Sequence, residues 1–264
     1  MTEYTDHYGP EGLRTRATVI VVPGRGETRA TYARLGRRLA ADAYRVRVVD
    51  APAIDTGDLA GSLDRFGGRL AKAVAGTSGI AGATDSADDS AVVRPVVLVG
   101  ADTGAVAVAA LLGRDEALAA LRPDAVVLAG LPGGAVASAG TWDEELDVRT
   151  SCPAHRGTLT DDSQVRRGSL GDAVPDVLLR AAFGSEADVP ALFLVGDSDP
   201  LADLDAVVRT TKSRARARLS VVRGAHHDVL NDVQHRSVAA EIVTFLETLR
   251  NELVPVVAVE SSAW

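Results

Sequence analysis

An aspartate stands at the centre of a segment whose neighbours are all small. Residues 100–104 read G-A-D-T-G, after an apolar run and before an alanine-rich stretch. A sharp strand-to-helix turn needs small neighbours because strand and helix approach closely, and its apex residue takes a strained backbone angle. A carboxylate at a helix N-terminus is stabilised as an anion by free N–H groups and the helix dipole. Asp102 is therefore a candidate nucleophile, and the alternative is an ordinary helix N-cap.

Two later loops carry the groups that would serve such a nucleophile. Residues 196–200 follow an apolar run and contain Asp197 and Asp199. Either carboxylate could orient a base, and the alternative is again helix capping. Residues 223–232 contain adjacent histidines, His226 and His227, before the last predicted helix. The order of turn, acid and histidine along the chain is typical of α/β-hydrolases.

A third segment, residues 22–27, reads V-P-G-R-G-E and follows the first predicted strand. Its glycines leave backbone N–H groups accessible to a developing negative charge, which makes it a candidate oxyanion hole. A dinucleotide or phosphate loop is the alternative, but the segment has neither G-x-G-x-x-G nor a G-K-[ST] ending. The sequence therefore predicts no cofactor and no metal site.

Apolar runs and helical stretches alternate along most of the chain. Strands are predicted at residues 17–22, 44–49, 92–99, 125–129, 191–195 and 217–222. Helices are predicted at residues 31–42, 58–75, 103–121, 201–214 and 235–253. Strands that are apolar throughout are buried on both faces. The sequence therefore predicts an α/β fold, with a mostly parallel sheet covered by helices on both faces.

Two segments interrupt this alternation. Residues 77–91, rich in Gly, Ser, Ala and Asp, are predicted to form a flexible linker at the amino ends of the strands. Residues 133–189 leave the carboxyl end of a strand, where ligands bind in parallel sheets, so we expect a lid. Trp142 and His155 lie in this lid and are candidate substrate-binding side chains. The apolar tail, residues 253–259, is expected to pack on the body or to add an edge strand.

Length and composition limit the function classes. A chain of 264 residues with 46% hydrophobic residues buries a full core, so we expect a single domain, residues 1–264. Residues 1–16 lack the pattern of a signal peptide, and no apolar run approaches the roughly 20 residues that cross a bilayer. We therefore expect a cytoplasmic protein without stable membrane insertion. Cys152 is the single cysteine, and the net charge of −8 with scattered basic residues argues against nucleic acid as a partner.

These segments together resemble the lysophospholipase and monoacylglycerol-lipase-like branch of the α/β-hydrolase superfamily, from about Thr18 to Leu249 apart from the lid. The oxyanion segment of that family, H-G-x-G-E-H followed by a tyrosine, is similar to residues 23–28 with Tyr32. Its acid turn G-x-x-D is similar to residues 196–199, and its closing G-x-x-H-E-x-x-N-E to residues 224–232. The resemblance implies the α/β-hydrolase fold, with the small lid inserted after the sixth strand of the family order.

The resemblance also implies roles for individual residues. It selects Asp199 over Asp197 as the residue that orients the base, and His227 over His226 as the general base. The backbones of Arg25 and Thr103 would supply the oxyanion-hole N–H groups. The residues that it makes catalytic are Asp102, Asp199 and His227, and those that it makes structural are Asn231 and Asp232.

Two departures from the family pattern change the chemistry. The elbow serine of the family is Asp102 here, and its oxyanion histidine is Pro23. An aspartate attacking an ester would form a strained mixed anhydride and expel a poor alkoxide. Attack on a saturated carbon instead gives an alkyl-enzyme ester, which water activated by His227 cleaves, as in haloalkane dehalogenases and epoxide hydrolases. Epoxide hydrolases stabilise the leaving group with two lid tyrosines, and this lid has none. Haloalkane dehalogenases stabilise the departing halide with a tryptophan beside the nucleophile, and Thr103 occupies that position here. Charged lid residues such as His155 are therefore the candidates for stabilising the leaving group.

Two hypotheses follow from the sequence. The first is a hydrolase whose Asp-Asp-His triad acts on a small or lipid-like substrate, through an alkyl-enzyme ester or a less usual acyl route. The second is a non-catalytic binding or regulatory protein with the same fold. The sequence favours the enzyme because a pure binding protein has no need of an oriented histidine.

Overall fold

Seven strands form one sheet in the computed structural model, which describes residues 4–77, 92–114, 121–138 and 140–262. The strands are β1 (Tyr4–His7), β2 (Thr18–Val22), β3 (Arg45–Val49), β4 (Val96–Ala101), β5 (Ala125–Ala129), β6 (Ala191–Gly196) and β7 (Ala217–Val222). Their order in the sheet is β1-β3-β2-β4-β5-β6-β7. β1 pairs antiparallel with β3, and every other neighbouring pair is parallel.

Helices cover both faces of this sheet. They are α1 (Ala33–Ala41), α2 (Leu59–Ala75), α3 (Thr103–Leu112), α4 (Trp142–Arg149), α5 (Pro153–Asp161), α6 (Asp176–Phe183), α7 (Leu204–Ser213) and α8 (His235–Leu249). Helices α1 and α8 contribute to the hydrophobic core on one face, and α2, α3, α6 and α7 contribute to the core on the other. The parallel sheet, with its helices on both sides, agrees with the predicted fold class.

The central strands are buried along their whole length because both of their faces pack against helices. Successive side chains of a strand point to opposite faces. In β2, Ile20 therefore belongs to one core, whereas Val19 and Val21 belong to the other. Each fully buried aliphatic side chain of this kind stabilises the fold by about 1.5–3 kcal/mol. The two cores fix the sheet, and with it the loops at the carboxyl ends of the strands.

The segment predicted as a lid, residues 133–189, contains helices α4, α5 and α6. Helix α4 begins at a capping box in which Thr141 Oγ1 accepts from the Glu144 N–H and the Glu144 carboxylate accepts from the Thr141 N–H. Helix α6 differs from the other two, because its Leu178 and Ala182 are part of the main core with α3. The part of this segment that rises over the carboxyl edge is therefore α4, α5 and the loop that follows them, and we use "lid" for these residues, 142–175.

Several element boundaries differ from the sequence prediction. Strand β1 was not predicted, and α8 ends at Leu249 rather than at residue 253. The expectation that residues 253–259 pack on the body or form an edge strand is wrong, since the side chains of Val256, Val257 and Val259 are 66%, 77% and 80% exposed. Positive φ angles at Glu252 and Leu253 turn the chain before it reaches this tail. Residues 78–91 of the predicted linker and residues 115–120 of the third predicted helix lie outside the described residues.

Within the described ranges, no helix combines the length and the apolar character that are needed to cross a membrane.

Candidate active site

Asp102 occupies the sharp turn between β4 and α3. Its φ of +46° lies in a region that non-glycine residues rarely adopt, so the turn holds it under strain. The flanking glycines are required by close contacts. A Cβ on Gly100 would lie 2.6 Å from the Ala105 Cα, and one on Gly104 would lie 2.4 Å from the Pro23 carbonyl oxygen. The small residues that predicted this turn are therefore the ones that its geometry needs.

His227 lies between two carboxylates at this edge of the sheet. Its Nε2 is 3.1 Å from Asp102 Oδ1, and its Nδ1 is 2.9 Å from Asp199 Oδ2. Asp102 follows β4, Asp199 follows β6 and His227 follows β7, so loops at the same edge of the sheet bring the three groups together. Asp197 faces elsewhere, where its Oδ1 accepts from the Gly224 N–H at 2.6 Å.

The charges in this group are set by burial and by mutual contact. Burial alone would lower the pKa of His227, but the charge of Asp199 and the hydrogen bonds that the imidazole donates to both carboxylates outweigh it and raise that pKa to about 10. Burial also favours a raised pKa for Asp102, yet the hydrogen bond and charge of His227, with those of Arg25, hold that pKa well below its usual range. At neutral pH the imidazolium of His227 therefore lies between two carboxylates.

Arg25 binds the Asp102 carboxylate through both its backbone and its side chain. The Arg25 backbone N–H, a predicted oxyanion-hole donor, donates to Asp102 Oδ2 at 2.7 Å. The guanidinium adds bonds from Nε to Oδ2 and from Nη2 to Oδ1, both at 2.9 Å. Thr103 is the first residue of α3, so its N–H has no partner within the helix. The sequence pointed to the two backbone groups and gave no signal for the guanidinium.

The lid holds Arg25 in this position. Arg149 of α4 donates from Nη2 to the Arg25 carbonyl oxygen at 3.0 Å, and the Ser169 hydroxyl donates to the same oxygen at 3.1 Å. The Arg25 Nη1 donates to the Asp172 carbonyl oxygen. Arg149 itself is buried and pairs with Glu145 at 3.0 Å. The guanidinium on Asp102 is thus fixed by a lid that is closed over it.

A second buried ionic contact lies beside His227. Asp228, the next residue, places Oδ2 2.9 Å from His155 Nε2 of α5 and Oδ1 3.5 Å from Arg149 Nη1. His155 is one of the two predicted substrate-binding residues, and it is nearly inaccessible to solvent in this position. The sequence did not single out Asp228 as a site residue, although it directly follows the histidine pair.

Glu27 is a third buried acid in the same region. Its Oε2 accepts from the Gly24 N–H at 2.8 Å and from the Tyr32 hydroxyl. Burial, and then the negative charge of Asp228, raises the pKa of Glu27 to about 7. The sequence signal for Glu27 was its place in the oxyanion segment, with Tyr32 five residues later.

The residues predicted to be structural hold the histidine loop to the lid. Asp232 is fully buried, with Oδ2 2.9 Å from His226 Nδ1 and Oδ1 accepting from the Thr150 hydroxyl at 2.8 Å. Asn231 is also buried, and its carbonyl oxygen accepts from Arg34. These contacts set the position of the loop that carries His227.

The closed lid leaves little room at Asp102. The cavity beside it, lined by Tyr32, Ala129, His227 and Leu230 among others, measures about 10 Å³, which is roughly the room for one water molecule. Ligand pockets measure about 300 Å³ or more. Trp142, the other predicted substrate-binding residue, packs inside the lid with its indole N–H donating to Thr160 Oγ1 at 3.0 Å. The closed arrangement therefore leaves no room beside Asp102 for a ligand of ordinary size.

We compared the chain and its fold with known proteins. No protein-family model matches the chain, and no curated protein matches it. Among solved structures it is similar to a monoacylglycerol lipase of Paleococcus ferrophilus (TM-score 0.66, 17% identity, 93% of this chain and 98% of that chain). It is also similar to a soluble variant of monoglyceride lipase from Saccharomyces cerevisiae, solved with a substrate analog (TM-score 0.68, 14% identity, 93% of this chain and 91% of that chain). A third similar structure is a thermophilic esterase from Thermogutta terrifontis (TM-score 0.59, 16% identity, 93% of this chain and 93% of that chain). The chain has the α/β-hydrolase fold.

Proposed function

We propose that this α/β-hydrolase-fold chain is a cytoplasmic hydrolase of the lysophospholipase and monoacylglycerol-lipase-like branch, with Asp102 as its nucleophile. The observation that carries the proposal is the continuous contact from Asp102 through His227 to Asp199 at the elbow, with the Arg25 N–H on the Asp102 carboxylate. A carboxylate nucleophile suits attack on a saturated carbon of a small or lipid-like substrate. The names of the similar structures agree with substrates of that kind.

In the first step, the lid lifts, the Arg25 guanidinium leaves the carboxylate, and Asp102 attacks the substrate carbon. A bond forms between a carboxylate oxygen and that carbon, and the bond to the leaving group breaks with its electron pair on the leaving group. Asp102 is then a neutral ester, so one of the two charges that raise the pKa of His227 has gone. His227 gives its proton to an alkoxide leaving group, or to water when the leaving group is a halide, and becomes a free base.

In the second step, His227 removes a proton from water, and the hydroxide attacks the ester carbonyl carbon of Asp102. The Arg25 and Thr103 backbone N–H groups bind the oxyanion that develops. The alkoxide departs with the proton from His227, and the resulting Asp102 carboxylic acid returns its own proton to His227. Asp199 keeps the imidazole in one orientation throughout. The carboxylate and the imidazolium are restored.

The proposal is tested with His227→Gln, which keeps the nucleophile and removes the base. On incubation with panels of haloalkanes, epoxides and short esters, we expect a mass increase equal to the transferred group, located on Asp102 by peptide mass spectrometry. Wild type should turn the same compound over without accumulating the adduct. Asp102→Asn is the matched control and should give neither. Absence of both adduct and turnover across all three panels would contradict the proposal.

A second candidate function is binding without catalysis. It is favoured by the guanidinium of Arg25, which covers both oxygens of Asp102, and by the small cavity beside them. This function predicts that a ligand binds wild type and Asp102→Asn with equal affinity and is recovered unchanged from both. Turnover by wild type alone excludes it.

A further inference from the structure

Three side chains with metal-binding atoms meet under the lid, next to the Asp102 site but outside the proposed reaction. They are Glu27 from the loop after β2, His155 from the lid helix α5, and Asp228 from the loop after β7. One ligand atom from each lies within 4.8 Å of the other two. The imidazole of His155 and the carboxylate of Asp228 are almost fully buried.

The Glu27 carboxylate has an unused oxygen in this group. Its Oε2 is occupied by the Gly24 N–H and the Tyr32 hydroxyl, whereas its Oε1 is buried and has no hydrogen-bond partner among the residues that the structure describes. Glu27 is 9% exposed. A buried carboxylate oxygen without a donor is costly, and buried charges are normally paired or bind a metal ion. Oε1 therefore points to a missing positive partner.

We propose that Glu27, His155 and Asp228 bind one divalent transition-metal ion, such as Zn²⁺ or Mn²⁺. One imidazole nitrogen with two carboxylate oxygens is a donor set that suits these ions, whereas Mg²⁺ and Ca²⁺ prefer more ligands, all of them oxygen. The ion takes the place of the direct contact between His155 and Asp228 and satisfies Glu27 Oε1. Ligand atoms around Zn²⁺ lie roughly 3.3 Å apart, so on binding the 2.9 Å contact between His155 and Asp228 opens slightly while Glu27 approaches the pair. The site joins the lid helix to the body and departs from the sequence prediction of no metal.

The test uses untagged, full-length protein that has been treated with a chelator and then dialysed. Calorimetric titration with ZnCl2, and separately with MnCl2, MgCl2 and CaCl2, should show one Zn²⁺ or Mn²⁺ per chain and far weaker binding of Mg²⁺ and Ca²⁺. The same ion should raise the thermal midpoint of unfolding. Glu27→Gln is nearly isosteric and keeps an oxygen for Tyr32, and we expect it to weaken the binding more than about tenfold.

His235→Gln is the control, because it removes a histidine at the start of α8 and leaves the three ligands intact. It should bind Zn²⁺ as wild type does. Absence of stoichiometric binding by wild type overturns the proposal without recourse to any variant, as does binding that Glu27→Gln and His155→Gln leave unchanged. Far-ultraviolet circular dichroism identifies a variant that has not folded, and the wild-type titration then decides. Neither the calorimetric titration nor the thermal midpoint depends on turnover, so the metal-site proposal and the Asp102 proposal are tested independently.

Discussion

Two buried ionic clusters meet at Arg25 and differ in what they join. The first, which we term the Asp-His-Asp cluster, consists of Asp102, His227 and Asp199, all on loops at the carboxyl ends of strands of the same sheet. The second, the lid clasp, consists of Arg149 and Glu145 of α4 with Asp228 of the body. The first cluster is built from residues of the body alone. The second links the lid to the body through the contact between Arg149 and Asp228, so similar ion pairs position a proposed reaction in one cluster and hold the lid against the body in the other.

The largest expected effect comes from removing the centre of the lid clasp. Arg149→Met should lower the free energy of unfolding by about 3–5 kcal/mol, because it removes the guanidinium that pairs with the buried carboxylates of Glu145 and Asp228. Urea denaturation at neutral pH measures this. Arg166→Met is the control in the same lid, since Arg166 and Asp172 form an exposed pair at 2.6 Å with side chains 59% and 57% exposed. Arg166→Met should lower the free energy of unfolding by less than about 1 kcal/mol. Equal losses in the two variants would show that the buried lid clasp stabilises the protein no more than the exposed pair does.

The Asp-His-Asp cluster should show itself in the pH dependence of stability. The pKa of His227 is raised from 6.5 in the unfolded chain to about 10 in the folded protein, so its contribution is complete below pH 6.5 and is lost as the pH rises through 10. We expect wild type to lose about 2–4 kcal/mol of unfolding free energy by this route between pH 7 and pH 10. His227→Gln should lose that part of the slope in urea titrations. A slope that is the same in both proteins would mean that His227 is neutral in the folded state.

Arg25 tests the link between the clusters. Arg25→Met keeps the backbone N–H on Asp102 and removes the guanidinium, whose charged hydrogen bonds are worth about 1.5–3 kcal/mol. In the His227→Gln background, the rate of adduct formation on Asp102 should rise by roughly 10- to 100-fold. Stopped incubations followed by intact mass spectrometry give the rate. If the rate falls instead, the guanidinium assists the nucleophile rather than covering it.

The smallest expected effect is a gain of ester hydrolysis at the elbow. Asp102→Ser places a hydroxyl beside a histidine that Asp199 already orients, with the Arg25 N–H free to bind an oxyanion. We expect slow hydrolysis of short nitrophenyl esters that exceeds the rate of Asp102→Ala, measured by absorbance. Equal rates for the serine and alanine variants would show that the closed lid or the displaced guanidinium blocks the site even without the aspartate.

The elbow and the central strands could be predicted from sequence because their determinants are local. Gly100 and Gly104 flank Asp102 within five residues, and the strands are buried on both faces, so each leaves a continuous pattern. Strand β1 gave no such signal, because its sequence Y-T-D-H is polar and it lies at an edge of the sheet. Its pairing with β3 depends on Asp6, which binds the buried guanidinium of Arg47 at 2.6 Å. That contact spans two segments, and neither segment specifies it alone.

The lid clasp and the position of the Arg25 guanidinium could not be predicted from the sequence for the same reason. Glu145 and Arg149 have helical spacing, which is the only local trace of the clasp. Their contacts with Asp228 and with the Arg25 carbonyl oxygen require the lid to be folded back over the sheet. Family resemblance supplied the backbone roles of residues 25 and 103 because those follow from the chain path. Side-chain conformations that differ from the family pattern leave no trace in a motif.

Gly26 sets a limit on closure that has nothing to do with charge. Its φ is +71°, and a Cβ there would lie 2.2 Å from the Ser169 hydroxyl and 2.5 Å from the Arg166 carbonyl oxygen. Lid and body therefore meet at this point without spare volume, as closely packed interiors do. Salt and pH alter the ion pairs around it but leave this contact unchanged. The added methyl group of Gly26→Ala would therefore prevent the lid from closing fully, and it would do so at every ionic strength.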